Sequence, residues 1–131
     1  MDRDAVMSWI AGYERAWRAN DPDGVDTLFT PDAIYRRSPY QPPEVGHGEI
    51  RAIWCEENDE VFTVQAEPVA VEGMTGVVRL VVRYGEPLRQ EYTDLWVLHF
   101  APDGRVAEFE EWPFAPGQPY TAEAPGSADE N

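Results

Sequence analysis

Residues 91–114 constrain this chain most. They read EYTDLWVLHF, then APDGR, then VAEFEEWPF. Two runs rich in aromatic and β-branched residues flank a Pro-Asp-Gly turn, which is the signature of a β-hairpin. Carboxylates sit inside both runs: Asp94 in the first, and Glu108, Glu110 and Glu111 in the second. A strand alternates its side chains between two faces, so some of these acids must share a face with Trp and Phe. A hairpin of this kind is expected to line a pocket with a polar floor.

The remaining elements follow from periodicity. Val6, Trp9, Ile10, Tyr13 and Trp17 recur at helical spacing and predict an amphipathic helix over residues 3–19. Asp21 is expected to cap a second short helix with Pro22 at its first position and Val25, Leu28 and Phe29 facing inward. Residues 33–37 predict a short strand. Pro39, Pro42 and Pro43 predict a loop without regular structure over residues 38–46. A third helix is expected from Gly48-Glu49 to about Asn58, with Ile50, Ile53 and Trp54 on one face. Strands are expected over residues 60–70, 75–84, 88–100 and 105–114.

Three helices followed by a four-stranded meander, with one short early strand, predict an α+β domain. The helices pack on one face of a strongly curved, mainly antiparallel sheet, leaving a conical space. Residues 1–115 are expected to form this domain. Residues 116–131, rich in Pro, Gly, Ala and acids, are expected to be a disordered tail.

Composition excludes several function classes. Ten basic residues, all arginine, stand against 25 acidic ones, for a formal net charge of −15. Such a field repels phosphate backbones and anionic membranes, so no nucleic-acid partner and no membrane association are expected. No stretch reaches the apolar length of a membrane span, and MDRDAV lacks a secretory-type apolar run, so a cytoplasmic location is expected. The single cysteine, Cys55, excludes an intramolecular disulfide and a multi-cysteine metal site. No phosphate-binding glycine loop or nucleophile elbow is present, so no cofactor is implied.

The segments YERAWRANDPDGVDTLFTPDAIYRRSPY, GHGEIRAIW and DLWVLHFAPDGRVAEFEEWPF resemble the nuclear transport factor 2-like, or SnoaL-like, superfamily over roughly residues 4–114. The resemblance implies an α+β cone with a pocket at its wide end, and a homodimer formed through the outer face of the sheet. Functions in the superfamily range from isomerases, cyclases and epoxide hydrolases to ligand binders and interaction domains. The steroid isomerase pattern matches at only one of three roles. Its first-helix tyrosine falls on Tyr13, but its base falls on Ser38 before Pro39, and its oxyanion-hole acid on Trp96. Neither can do the required chemistry.

The same resemblance turns Trp96 inward, and alternation then carries Tyr92 and Asp94 with it. In the last strand it turns Phe109 and Glu111 inward and Glu108, Glu110 and Trp112 outward. Asp94 and Glu111 are thus the candidate proton-handling groups. Two carboxylates in a poorly solvated space cannot both ionise cheaply, so one becomes usable as an acid or base. Pairing with arginine or rim water is the competing reading. Tyr13, Trp17, Tyr35, Ser38, Trp54, Tyr92, Trp96 and Phe109 are the candidate pocket residues, suited to an apolar or aromatic small molecule. Tyr40 could also reach the mouth, and Tyr13 and Trp17 could equally be ordinary core. His47, at the start of the third helix, is either a neutral base or a solvated loop residue, and His99 is expected outward. The two histidines lie far apart, and no metal site is expected. Arg79 either neutralises Asp94 or joins an outer ion-pair network. Two functions stay open: a small-ligand protein, possible as a cofactor-free acid/base cyclase, isomerase or hydrolase, and a non-catalytic dimerisation or interaction domain.

Overall fold

The protein is described here by a computed structural model covering residues 1–54 and 61–117. Helix α1 spans Arg3–Ala19. Asp2 heads it by accepting the Ala5 N–H at 2.8 Å, and Asn20 ends it in the left-handed conformation (φ 50°, ψ 47°). Of its predicted stripe, Val6, Trp9, Ile10 and Tyr13 are buried and Trp17 is half-buried.

Helix α2 spans only Gly24–Leu28, with Asp23 at its N-cap. The expected start at Pro22 is therefore corrected. Asp21 still initiates the turn, since its carboxylate accepts the Asp23 N–H at 3.0 Å and its carbonyl accepts the Gly24 N–H. Strand β1 follows at once as Phe29–Arg36. The proline-rich segment is not wholly irregular either, because Glu44–Val45 forms β2, paired antiparallel to Ile34 and Tyr35. Helix α3 spans Gly46–Trp54, starting two residues before the Gly48-Glu49 signal. Its expected end near Asn58, together with Cys55 and Glu57, lies outside the described residues, as does the tail beyond residue 117.

Strands β3 (Phe62–Glu72), β4 (Thr75–Tyr84), β5 (Gln90–Phe100) and β6 (Val106–Phe114) form the meander. The described sheet has six strands in the order β2-β1-β6-β5-β4-β3, with only β1–β6 parallel. It is curved but not closed. Pro68 sits in β3, an edge strand where a missing N–H is tolerated, beside a register shift between Pro68 and Ala70. A second shift falls between His99 and Phe100, beyond the acids of the hairpin. Trp96 therefore stays opposite Glu111, and Asp94 opposite Pro113.

The three helices cover the concave face. Near the N-terminus of α1 the space is filled: Val6, Ile10, Val78, Leu98 and Val106 are almost fully buried. Gly76 permits this contact, since a Cβ there would lie 2.9 Å from Val6. Towards the C-terminus of α1 the helices and sheet diverge, and the filling stops.

Candidate functional site

The divergence leaves a cavity of about 680 Å³, partly open to solvent. Tyr13, Ala16 and Trp17 of α1, with Asn20 beyond it, form one wall. Ile53 and Trp54 close α3 over another. The floor is the end of the hairpin sheet: Val82 and Tyr84 of β4, Tyr92, Asp94 and Trp96 of β5, and Glu111 and Pro113 of β6. Tyr35 and Arg37 complete the lining from β1 and the residue after it.

The walls are aromatic. The rings of Trp54 and Trp96 lie 5.0 and 4.9 Å from the Tyr13 ring. Trp17 stacks on Phe62 at 4.4 Å near the opening. Phe109 is fully buried beneath this layer and stacks on Tyr35 at 4.5 Å. It supports the lining rings without joining the lining itself. Ser38 is not in the lining either. Its hydroxyl accepts the Tyr40 N–H at 3.3 Å in the proline-rich turn, and Tyr40 is 95% exposed.

The polar floor has two stations. In the first, the hydroxyls of Tyr13 and Tyr35 lie 3.2 Å apart and buried. Burial above all, reinforced by the charges of Tyr13 and Glu111, raises the Tyr35 hydroxyl well above the ordinary tyrosine range, and the positive charge of Arg37 opposes this only in part. Tyr35 thus remains a neutral phenol.

In the second station, Asp94 and Glu111 meet on the inner face. Their backbones are diagonal neighbours across β5 and β6, a spacing that long side chains can bridge. Asp94 is only 4% exposed. Its Oδ2 accepts the Trp96 indole N–H at 3.3 Å. Its Oδ1 is buried with no hydrogen-bond partner among the described residues. The Glu111 side chain lines the same stretch of floor. Two carboxyls this close in a poorly solvated space favour keeping one proton between them. Burial raises Asp94 above the usual carboxylate range, while the hydrogen bonds from Glu111 and Trp96 counter it. Glu111 is less deeply buried and lines the cavity. Both carboxyls therefore line the floor, Asp94 the more deeply buried of the two. A further buried polar atom, Trp54 Nε1, has no acceptor among the described residues.

The other sequence candidates lie elsewhere. His47 is neither a cavity base nor a solvated loop residue. Its side chain is only 18% exposed, with Nε2 2.8 Å from the Phe29 carbonyl and Nδ1 3.1 Å from Asp26, which ties α3 to α2 and β1. Arg79 lies on the outer face with Glu67 at 2.5 Å, away from Asp94. His99 is also on the outer face, with Nε2 3.1 Å from Glu110. No cluster among the described residues could hold a metal ion. Arg37 was visible in the sequence only as one charge among several. The signal that finds it is simple alternation: Tyr35 faces inward, so Arg37 does too, while Arg36 turns outward to Glu108 at 2.7 Å.

A family model described as the SnoaL-like domain matches residues 10–109. The chain belongs to the SnoaL-like family.

Solved structures agree on the fold. An NTF-2 like protein of unknown function from Burkholderia xenovorans superposes with a TM-score of 0.68 at 17% identity, covering 97% of this chain and 92% of its own. SalBIII, an epoxide hydrolase/cyclase-like enzyme with a role in pyran ring formation in the polyether salinomycin, gives 0.68 at 17% identity, with 86% and 93% covered. An LEH-like epoxide hydrolase from Mycobacterium tuberculosis gives 0.67 at 16% identity, with 86% and 84% covered. No curated protein matches the chain. At these identities the likeness carries the SnoaL-like cone and nothing finer. No described helix is long and apolar enough to cross a membrane.

Proposed function

We propose that this SnoaL-like protein binds an apolar cyclic small molecule and acts on it by cofactor-free acid/base chemistry. The observation that carries the reading is the Asp94–Glu111 carboxyl pair, with one member buried and raised, at the floor of an aromatic cavity. Glu111 and Asp94 both line the floor where the ligand would lie, Asp94 the deeper of the two. A pair holding one proton offers an acid and a base in the same place. In a hydrolytic opening of a cyclic ether, the free carboxylate takes a proton from water. The oxygen of that water attacks the ring carbon, the carbon–oxygen bond breaks, and the shared proton goes to the departing oxygen. The pair ends with one proton, as it began. The structural neighbours include an LEH-like epoxide hydrolase, an epoxide hydrolase/cyclase-like enzyme and a putative ketosteroid isomerase at similar likeness. The hydrolase or cyclase version is preferred because Trp96 stands where the steroid isomerase pattern has its acid.

The test is a panel of apolar cyclic epoxides and enolisable cyclic ketones, read by diol formation and by loss of α-deuterium. Turnover lost in both D94N and E111Q supports the reading. Unchanged turnover in both variants would reject the proton-transfer assignment. Saturable binding without turnover would leave the cavity as a ligand carrier.

A second reading concerns assembly. The outer face of the sheet carries Leu95 and Phe114, each 38% exposed, beside the half-buried Val77, Val81, Val97 and Trp112. Ion pairs flank this stripe, including Arg83–Glu91 at 2.8 Å. An apolar centre within a charged rim fits a pair of identical copies. This dimer is compatible with either an enzyme or an interaction domain.

A further inference from the structure

Arg37 is the one arginine among the described cavity-lining residues of a strongly acidic chain. It stands one step beyond Arg36 in β1. The parallel register pairs Tyr35 with Phe109 and Arg36 with Glu110, so Arg37 comes beside Glu111 on the same inward-facing row. Its ion pair is nevertheless with Glu44 of β2, at 3.3 Å. This is the longest arginine–carboxylate contact among the described pairs, the others falling at 2.9 Å or less. The Arg37 side chain is 44% exposed. A loose, solvated pair of this kind contributes little to stability, and exchanging one carboxylate for another there costs little. A guanidinium offers a planar fork of donors that fits a carboxylate at two points.

We infer that Arg37 is an anion-recognition residue at the edge of the cavity, and that the ligand carries a carboxylate alongside its apolar ring body. This rests on the proposed small-molecule reading of the cavity and adds the substrate class to it. The ring body lies among Trp17, Trp54 and Trp96, the carboxylate replaces Glu44 on Arg37, and the reacting centre comes over Glu111. Glu44 then acts as an internal competitor, holding the guanidinium when the cavity is empty.

Isothermal titration at pH 7 with 2-naphthoate and its methyl ester tests this, because the two probes share a ring and differ in charge. The wild type is expected to bind the carboxylate about tenfold more tightly than the ester. R37Q should bring the two affinities together, and R37K should keep part of the preference, since it keeps the charge but loses the fork. E44Q should tighten naphthoate and leave the ester unchanged, a result that a merely structural Arg37–Glu44 pair would not give. Circular dichroism of each variant confirms folding. Equal binding of both probes by the wild type, or a preference that survives R37Q, overturns the carboxylate subsite while the cavity reading stands. No saturable binding of either probe overturns both.

Discussion

Trp96 and Asp94 lie two residues apart on one strand, and the indole N–H of the first donates to Oδ2 of the second at 3.3 Å. The tryptophan that replaces an acid of the steroid isomerase pattern is thereby coupled to the acid that this chain does carry. Trp96→Phe keeps the ring among Tyr13 and Phe109 but removes the only indole donor to Asp94. A buried acceptor that loses its donor costs about 1–3 kcal/mol. Urea unfolding at neutral pH should show a loss in that range. Trp96→Phe in the background of Asp94→Asn should lose less, and equal losses in both backgrounds would disconnect the two residues.

Asp94 also sets a pH dependence. Its folded pKa is raised chiefly by burial, so the native state holds this proton more tightly than the unfolded chain does. Stability from this group is fully present below the ordinary aspartate pKa and is lost as pH rises through the raised folded value. The general repulsion of a −15 chain has the same sign, so the informative quantity is a difference. The gap in unfolding free energy between D94N and wild type should shift in favour of D94N as pH rises from about 4. A gap that stays constant with pH would mean that Asp94 ionises as an ordinary surface acid.

These two residues also mark what the sequence could and could not convey. The inward faces of the hairpin were legible through the resemblance, which turns Trp96, Phe109 and Glu111 inward; alternation carries Asp94 with Trp96, and the register shift falls past these residues. Helix α1 was legible from its three- and four-residue apolar spacing, and strand β4 from its run of β-branched residues. Strand β2 was not, because two residues among prolines are held by pairing with Ile34 and Tyr35 rather than by local preference. Ser38 entered the candidate set through resemblance alone, and its hydroxyl is used within its own turn. The hierarchy within the acid pair was also hidden, since depth depends on how far helices and sheet diverge, which no local pattern encodes.

Gly24 permits the close approach of α2 to α1 beside the cavity. A Cβ there would come within 2.5 Å of Ala16 Cβ, and Ala16 lines the cavity. Alanine is the better helix former by about 1 kcal/mol, but this contact leaves α1 and α2 no room. Gly24→Ala should therefore destabilise the fold by about 1–3 kcal/mol through overpacking and weaken ligand binding as α1 shifts. Adding Ala16→Gly should restore binding. Thermal unfolding and titration of the single and double variants decide it, and a Gly24→Ala protein as stable as wild type would remove the close approach.

The outer face yields the last prediction. Leu95 lies between Arg79 and Trp112 in register, at the centre of the proposed interface between copies. Leu95→Arg would bury an unpaired charge there, and such a charge costs several kcal/mol at a closed interface but almost nothing on a free surface. Sedimentation velocity should therefore give a dimer for the wild type and a monomer for Leu95→Arg, with both proteins folded. Cavity binding of a small apolar probe should survive the substitution, since the acids and rings lie on the opposite face of the sheet. A wild type that sediments as a monomer across the micromolar range would remove the interface, and with it the dimerisation-domain reading.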